Sequence, residues 1–155
     1  MIVEDLFNIS FRIESAGYEY YSKLAQQFGD HRGELFSRLA GEEKDHRATF
    51  HQIYDEHKGT EQTGDSPWER QEVSKGFQHL AEMSVFPNLK DEKLPDNYEE
   101  ALKLAIQVEK DSIVFYGDIQ RYIPDKSAIE EIIAQEQDHL HQLLEELGTR
   151  KEGSE

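Results

Sequence analysis

The sequence predicts an all-α fold: a four-helix bundle built from two antiparallel hairpins joined by one long crossover that holds a short extra helix. Three observations predict it. Apolar residues recur at helical spacing in four long segments. Short turns separate the first segment from the second and the third from the fourth, whereas Lys58 to Asn97 lies between the second and the third. The two halves also repeat one pattern of polar residues at matching places along their helices.

The first helix is expected from about Val3 to Gln27, with Leu6, Ile9, Ile13, Gly17, Tyr20 and Leu24 on one side. The residues "FGDHRG" that follow supply a turn. The second helix is expected from about Glu34 to His57, with Phe36, Leu39, Ala40, Phe50, Ile53 and Tyr54 inward. In the crossover, Val73, Phe77, Leu80 and Met83 are spaced for a short helix along the outside of the bundle, and Pro87 and Pro95 bracket its exit. Trp68, Met83 and Phe86 there read as packing. The third helix opens at "PDNYEEAL", where Asn97 and Glu100 have the spacing of a capping box. Its stripe is Leu102, Ala105, Ile106, Ile113, Tyr116 and Ile119. The fourth begins after Pro124, carries Ile129, Ile132, Ile133, Leu140, Leu143 and Leu144 inward, and has its stop at Gly148. Residues 1–148 thus form a single domain, and 149–155 a flexible tail.

Composition excludes several classes of function. The 155 residues contain no cysteine, which removes disulfides, thiolate metal sites and cysteine nucleophiles. The net charge is −16, with acids spread along the chain. Such a surface repels nucleic acid and anionic membranes, so neither is expected as a partner. The start, "MIVEDLFNIS", has early acids and no basic segment, unlike a signal peptide, and no apolar run reaches membrane-spanning length. The expected location is the cytoplasm.

The repeat carries the chemistry. Glu14 is followed seven residues later by Tyr21, and Glu109 seven later by Tyr116. "EEKDH" contains Glu43 and His46; "EQDH" contains Glu136 and His139, and in each an Asp precedes the His. The halves are offset by 95 residues at the single Glu and by 93 at the Glu-x-x-His pairs. All six of these Glu and His side chains fall on stripes that face the core. Ionised carboxylates in an apolar interior are costly and repel one another. No Lys or Arg lies on these stripes at matching depth, apart from Arg47, one step off the second. Two divalent cations would balance four carboxylates, with two neutral imidazoles completing the coordination. The i, i+3 spacing puts Glu and His side by side on one helix face. Oxygen and imidazole ligands without thiolate suit iron or manganese. A single Glu-x-x-His arises by chance in many acidic helices; two, in register with two single Glu, point to a dinuclear site. One ion, or none, is the alternative.

On these motifs, Glu14 with Tyr21, "EEKDH", "VEKDSIVFY" and "EQDH", the chain resembles rubrerythrin-type members of the ferritin-like di-iron carboxylate superfamily over about residues 3–147. The resemblance implies two iron ions (manganese being possible), with Glu14 and Glu109 as ligands from the first and third helices. It implies Glu43 and Glu136 as bridges, His46 and His139 as one cap each, and Tyr21 and Tyr116 as hydrogen-bond donors to ligand carboxylates. Asp45 and Asp138 could orient the imidazoles, although adjacent residues on a helix point apart. His31, His51, His57, His79 and His141 lie off the pattern and read as surface or rim residues. Two departures matter. The four-cysteine iron domain of rubrerythrins proper is missing from these residues, and Ser112 stands where many relatives have a further Glu. The implied activity is reduction of H2O2 or O2 at a di-iron site, with an external protein as electron donor and a homodimer as the assembly. Ferroxidase or iron-handling activity, and a non-enzymatic interaction or sensory bundle, are the other readings.

Overall fold

A computed structural model describes residues 2–57, 75–76, 79, 94–123 and 125–153, and among these described residues four long helices make up the fold. They are α1 (Ile2–Phe28), α2 (Asp30–His57), α3 (Tyr98–Ile119) and α4 (Lys126–Gly153), with a single 3-10 turn, Gln120–Tyr122, after α3. α1 lies along α2 and α3 along α4, and the two hairpins meet mainly through α1 against α3 and α2 against α4. This is the two-hairpin bundle that the spacing predicts. Within the crossover, residues 75, 76 and 79 are helical. The rest of the expected crossover helix, with Trp68, Val73, Phe77, Leu80, Met83, Phe86 and Pro87, lies outside the described residues.

The stripes read from the sequence form the core. Leu6, Ile9, Ile13, Tyr20 and Leu24 of α1 and Phe36, Leu39, Phe50 and Ile53 of α2 are buried against Leu102, Ala105 and Ile119 of α3 and Ile129, Ile132 and Leu143 of α4. Aromatic rings close one end, with Phe28, Phe36 and Tyr98 in mutual contact at centroid separations of 5.4–6.1 Å. Leu144, expected inward, is 46% exposed. Successive residues on a helix point about 100° apart, so Leu143 takes the interior and Leu144 turns outward.

Helix boundaries differ from expectation in two places. α2 begins at Asp30, not near Glu34, and Gly29 alone separates it from α1. Gly29 and Asp30 both adopt left-handed backbone, with φ of 60° and 46°. Asp30 then caps the helix, its Oδ1 accepting from the Arg32 N–H at 2.9 Å. Asn97 caps α3 as predicted, accepting from the Glu100 N–H at 3.2 Å. Gly148 does not stop α4, which continues to Gly153. A glycine ends a helix when it turns left-handed, and Gly148 does not. The segment expected as a loose tail is therefore helical as far as Gly153.

The tight α1–α2 turn explains Gly33. A Cβ there would sit 2.7 Å from the backbone oxygen of Ala25. Gly33→Ala is expected to cost about 1–3 kcal/mol through this overlap, read as a loss of several degrees in Tm with unchanged helical circular dichroism.

Candidate metal centre

Each helix brings polar side chains to the middle of the core. Glu14 comes from α1, Glu43 and His46 from α2, Glu109 from α3, and Glu136 and His139 from α4. All six are 2% exposed or less. They fall into two overlapping groups: Glu14, Glu43, His46 and Glu136, and Glu43, Glu109, Glu136 and His139. Within each group one ligand atom per residue lies within 4.8 Å of the others. Glu43 and Glu136 belong to both groups, so they stand between two cation-sized positions. The imidazole rings stack across the centre at 5.8 Å between centroids.

The donor atoms face inward without hydrogen-bond partners. Among the described residues these are Glu14 Oε2, Glu43 Oε1, Glu109 Oε2, both oxygens of Glu136, and the Nδ1 atoms of His46 and His139. Buried polar atoms are rarely left unpaired, because desolvation then goes uncompensated. His46 Nδ1 lies 2.7 Å from Glu136 Oε1 and 3.6 Å from Glu14 Oε2, as charge contacts that lack hydrogen-bond alignment. His139 Nδ1 lies 3.6 Å from Glu109 Oε1 and 3.7 Å from Glu43 Oε1. Carboxylates and imidazoles converging in this way fit divalent cations. Arg47, the only candidate counter-charge in the sequence, turns toward α1. Its guanidinium donates to Ser15 Oγ at 3.3 Å and lies over the Tyr18 ring.

Without a cation the cluster must hold protons. Burial, followed by the charges of Glu136 and Glu14, pushes the Glu43 carboxyl well above its usual range. Burial and then Glu109 do the same to Glu136. Burial also opposes ionisation of Glu109, but the close approach of Glu136 and His139 outweighs it and holds this carboxyl low. Burial works against a charged His46, yet Glu136 and Glu14 overcome it and raise the imidazole to about 11. His139 is raised in the same sense, with Glu109 prevailing over burial.

The tyrosines cross between hairpins. Tyr21 of α1 donates to Glu109 Oε1 of α3 at 2.6 Å, and Tyr116 of α3 donates to Glu14 Oε1 of α1 at 2.6 Å. The sequence spaces each tyrosine seven residues from the glutamate of its own helix, and the hydroxyl reaches the ligand-type glutamate of the other hairpin. Burial, then the nearby carboxylate charges, hold both phenols well above their ordinary range, so they stay protonated and donate.

Behind the imidazoles stand two residues that the sequence reading passed over. His46 Nε2 is hydrogen-bonded to Gln135 Oε1 at 2.6 Å, and His139 Nε2 meets Glu42 Oε2 at 2.5 Å as a charge contact that lacks hydrogen-bond alignment. With Nε2 directed outward, Nδ1 of each ring is free to face the centre. Asp45 and Asp138, considered for this task, are exposed. Carrying the "EQDH" repeat one residue back, to "QEQDH" beside "EEKDH", would have found Glu42 and Gln135. Of the remaining histidines, His31, His51, His79 and His141 are exposed, His51 stacking on Phe11 at 4.1 Å, and the His57 side chain lies outside the described residues. Ser112 is buried and donates to the Val108 carbonyl at 3.0 Å. A Cβ on Gly17 would approach Glu43 Oε2 to 3.2 Å, so a small residue there leaves that carboxylate its room.

Comparison with known proteins agrees with this architecture. A family model described as Rubrerythrin matches residues 5–147. A solved structure from Thermotoga maritima, described as a candidate ferritin-like diiron-carboxylate protein, superposes with a TM-score of 0.69 at 24% identity, over 95% of each chain. That likeness establishes the fold. No curated protein matches the chain. No helix among the described residues is long and apolar enough to cross a membrane.

Proposed function

The chain belongs to the rubrerythrin family, and from that premise we propose that it is a di-iron carboxylate oxidoreductase that reduces peroxide or O2. One observation carries the reading: two buried ligand groups that share Glu43 and Glu136. In this proposal Glu14 and Glu109 would each hold one ion, Glu43 and Glu136 would be shared by both, and His46 and His139 would each offer Nδ1 to one. When bound, two ferrous ions supply the two electrons that, with two protons, split one peroxide into two waters. The chain's own residues set the conditions. Tyr21 and Tyr116 clamp one oxygen of Glu109 and Glu14, leaving the other for the metal. Burial of all six side chains at 2% exposure or less keeps bulk water away. With no cysteine in these 155 residues, the refilling electrons come from an external donor protein, and manganese remains a possible alternative occupant of the same oxygen and nitrogen ligands.

The test is anaerobic titration of apoprotein with Fe(II), followed by peroxide or O2. The expected result is two ions per chain and one peroxide consumed per two irons, with peroxide faster than O2. Uptake clearly below two ions sinks the reading. The charge of −16 supports a second reading, iron oxidation for storage, because such a surface gathers cations. Assembly size separates the two: a homodimer by light scattering favours peroxide reduction, and a cage favours storage.

A further inference from the structure

The two halves of the chain are not equal where they meet the histidines. Glu42 and Gln135 occupy the same place in the repeat, one residue before the Glu of each Glu-x-x-His pair. Each reaches across to the other hairpin and meets the outer nitrogen of the facing imidazole. The two contacts differ by 0.1 Å in length and by a full charge in character.

We propose that the two metal positions bind with different strength, and that Glu42 makes the position at His139 the tighter one by holding that imidazole with a carboxylate. This rests on the metal site proposed above. A carboxylate close behind a ligating imidazole raises the electron density at the nitrogen that faces the metal; an amide oxygen orients the ring but adds no charge. The side chain of Glu42 is 40% exposed, yet the oxygen that meets His139 is shielded from solvent. Gln135 is fixed in the acceptor orientation, because its amide nitrogen donates to Glu131 Oε1 at 3.4 Å. The His46 position therefore has a neutral amide behind its imidazole, and the His139 position has a carboxylate. Glu42 is a positioning residue, acting through His139.

The experiment is anaerobic calorimetric titration of the apoprotein with Co(II), with the visible Co(II) spectrum recorded at each step. Wild type is expected to take two ions per chain in two resolved steps. His46→Ala retains the tighter step and His139→Ala the weaker, which assigns them. Glu42→Gln is expected to weaken the tight step by roughly 10–100-fold and to shift its spectrum, leaving the weak step in place. Gln135→Glu is expected to strengthen the weak step, and Glu42→Asp to recover part of the loss, all with unchanged helical circular dichroism. Two ions per chain with the tight step unmoved in Glu42→Gln, or with the tight step surviving in His139→Ala, overturns the inequality alone. Fewer than two ions in wild type overturns the metal site and this proposal with it.

Discussion

Glu136→Gln is expected to empty both metal positions at once and to stabilise the protein that remains. Glu136 belongs to both ligand groups, and neither of its oxygens has a hydrogen-bond partner among the described residues. Losing it removes a ligand from each ion and the link between them. His139→Ala, by contrast, removes a donor from one group only. Iron analysis after anaerobic loading should therefore fall from two per chain to near zero in the first variant, and to about one in the second. The stability change has the opposite sign. Glu136 is fully buried and its carboxyl is pushed well above the ordinary 4.5 by burial and by Glu109. An acid held protonated above its ordinary pKa costs the fold about 1.4 kcal/mol for each pH unit over which the proton is retained. Glutamine keeps the shape without that cost, and of the two carboxylate contacts of His46 the one to Glu14 remains. Metal-free Glu136→Gln should melt several degrees above metal-free wild type. A variant that still loads two irons, or that melts lower without metal, contradicts the shared-ligand geometry.

The second large effect is removal of metal, and it depends on pH in a defined direction. A ligand that binds only the folded chain stabilises it by about 2.7 kcal/mol at a hundred times its Kd. Two such ions give about 5 kcal/mol, or roughly 10–20 °C in Tm for a chain of this size. Chelation at pH 8 should cost that much, and at pH 6 clearly less. The protons explain the difference. His46 is held at about 11 against an ordinary 6.5, so the stability its carboxylate contacts provide is complete below 6.5 and is lost as pH rises toward 11. Glu43 and Glu136, both raised, weaken the apoprotein in the same direction as pH climbs above 4.5. The metal-free fold thus loses up to about 1.4 kcal/mol per pH unit for each retained proton. Cations replace those protons, so their effect grows with pH. Thermal melts with and without chelator, at both pH values, check the sign; a chelation penalty that shrinks at pH 8 would refute it.

The bundle and its six inward polar residues were legible in the sequence for one reason. Helical period places a residue on a face, and the duplication shows which polar residues on that face recur. Glu14 and Glu109, and the pairs Glu43–His46 and Glu136–His139, all meet both criteria. Spacing within a helix does not say which neighbouring helix a side chain reaches. This is why the sequence gives Tyr21 and Tyr116 as donors to ligand carboxylates without saying which, and only the structure shows their hydroxyls crossing the bundle. It is also why Glu42 escaped notice: on its own helix it reads as a solvated acid, and only the approach of α4 brings His139 against it. Backbone torsions set the remaining differences. Asp30 begins α2 early because two successive residues turn left-handed, and Gly148 keeps right-handed backbone, so α4 runs on.

The exchanged tyrosines mean that neither hairpin owns a complete half of the centre. α1 supplies a glutamate whose clamp comes from α3, and α3 a glutamate whose clamp comes from α1. An ancestor consisting of one hairpin could have assembled this centre only by pairing with a twin. With both hairpins in one polypeptide the two copies need not match, and here an acid stands at one end of the axis and an amide at the other.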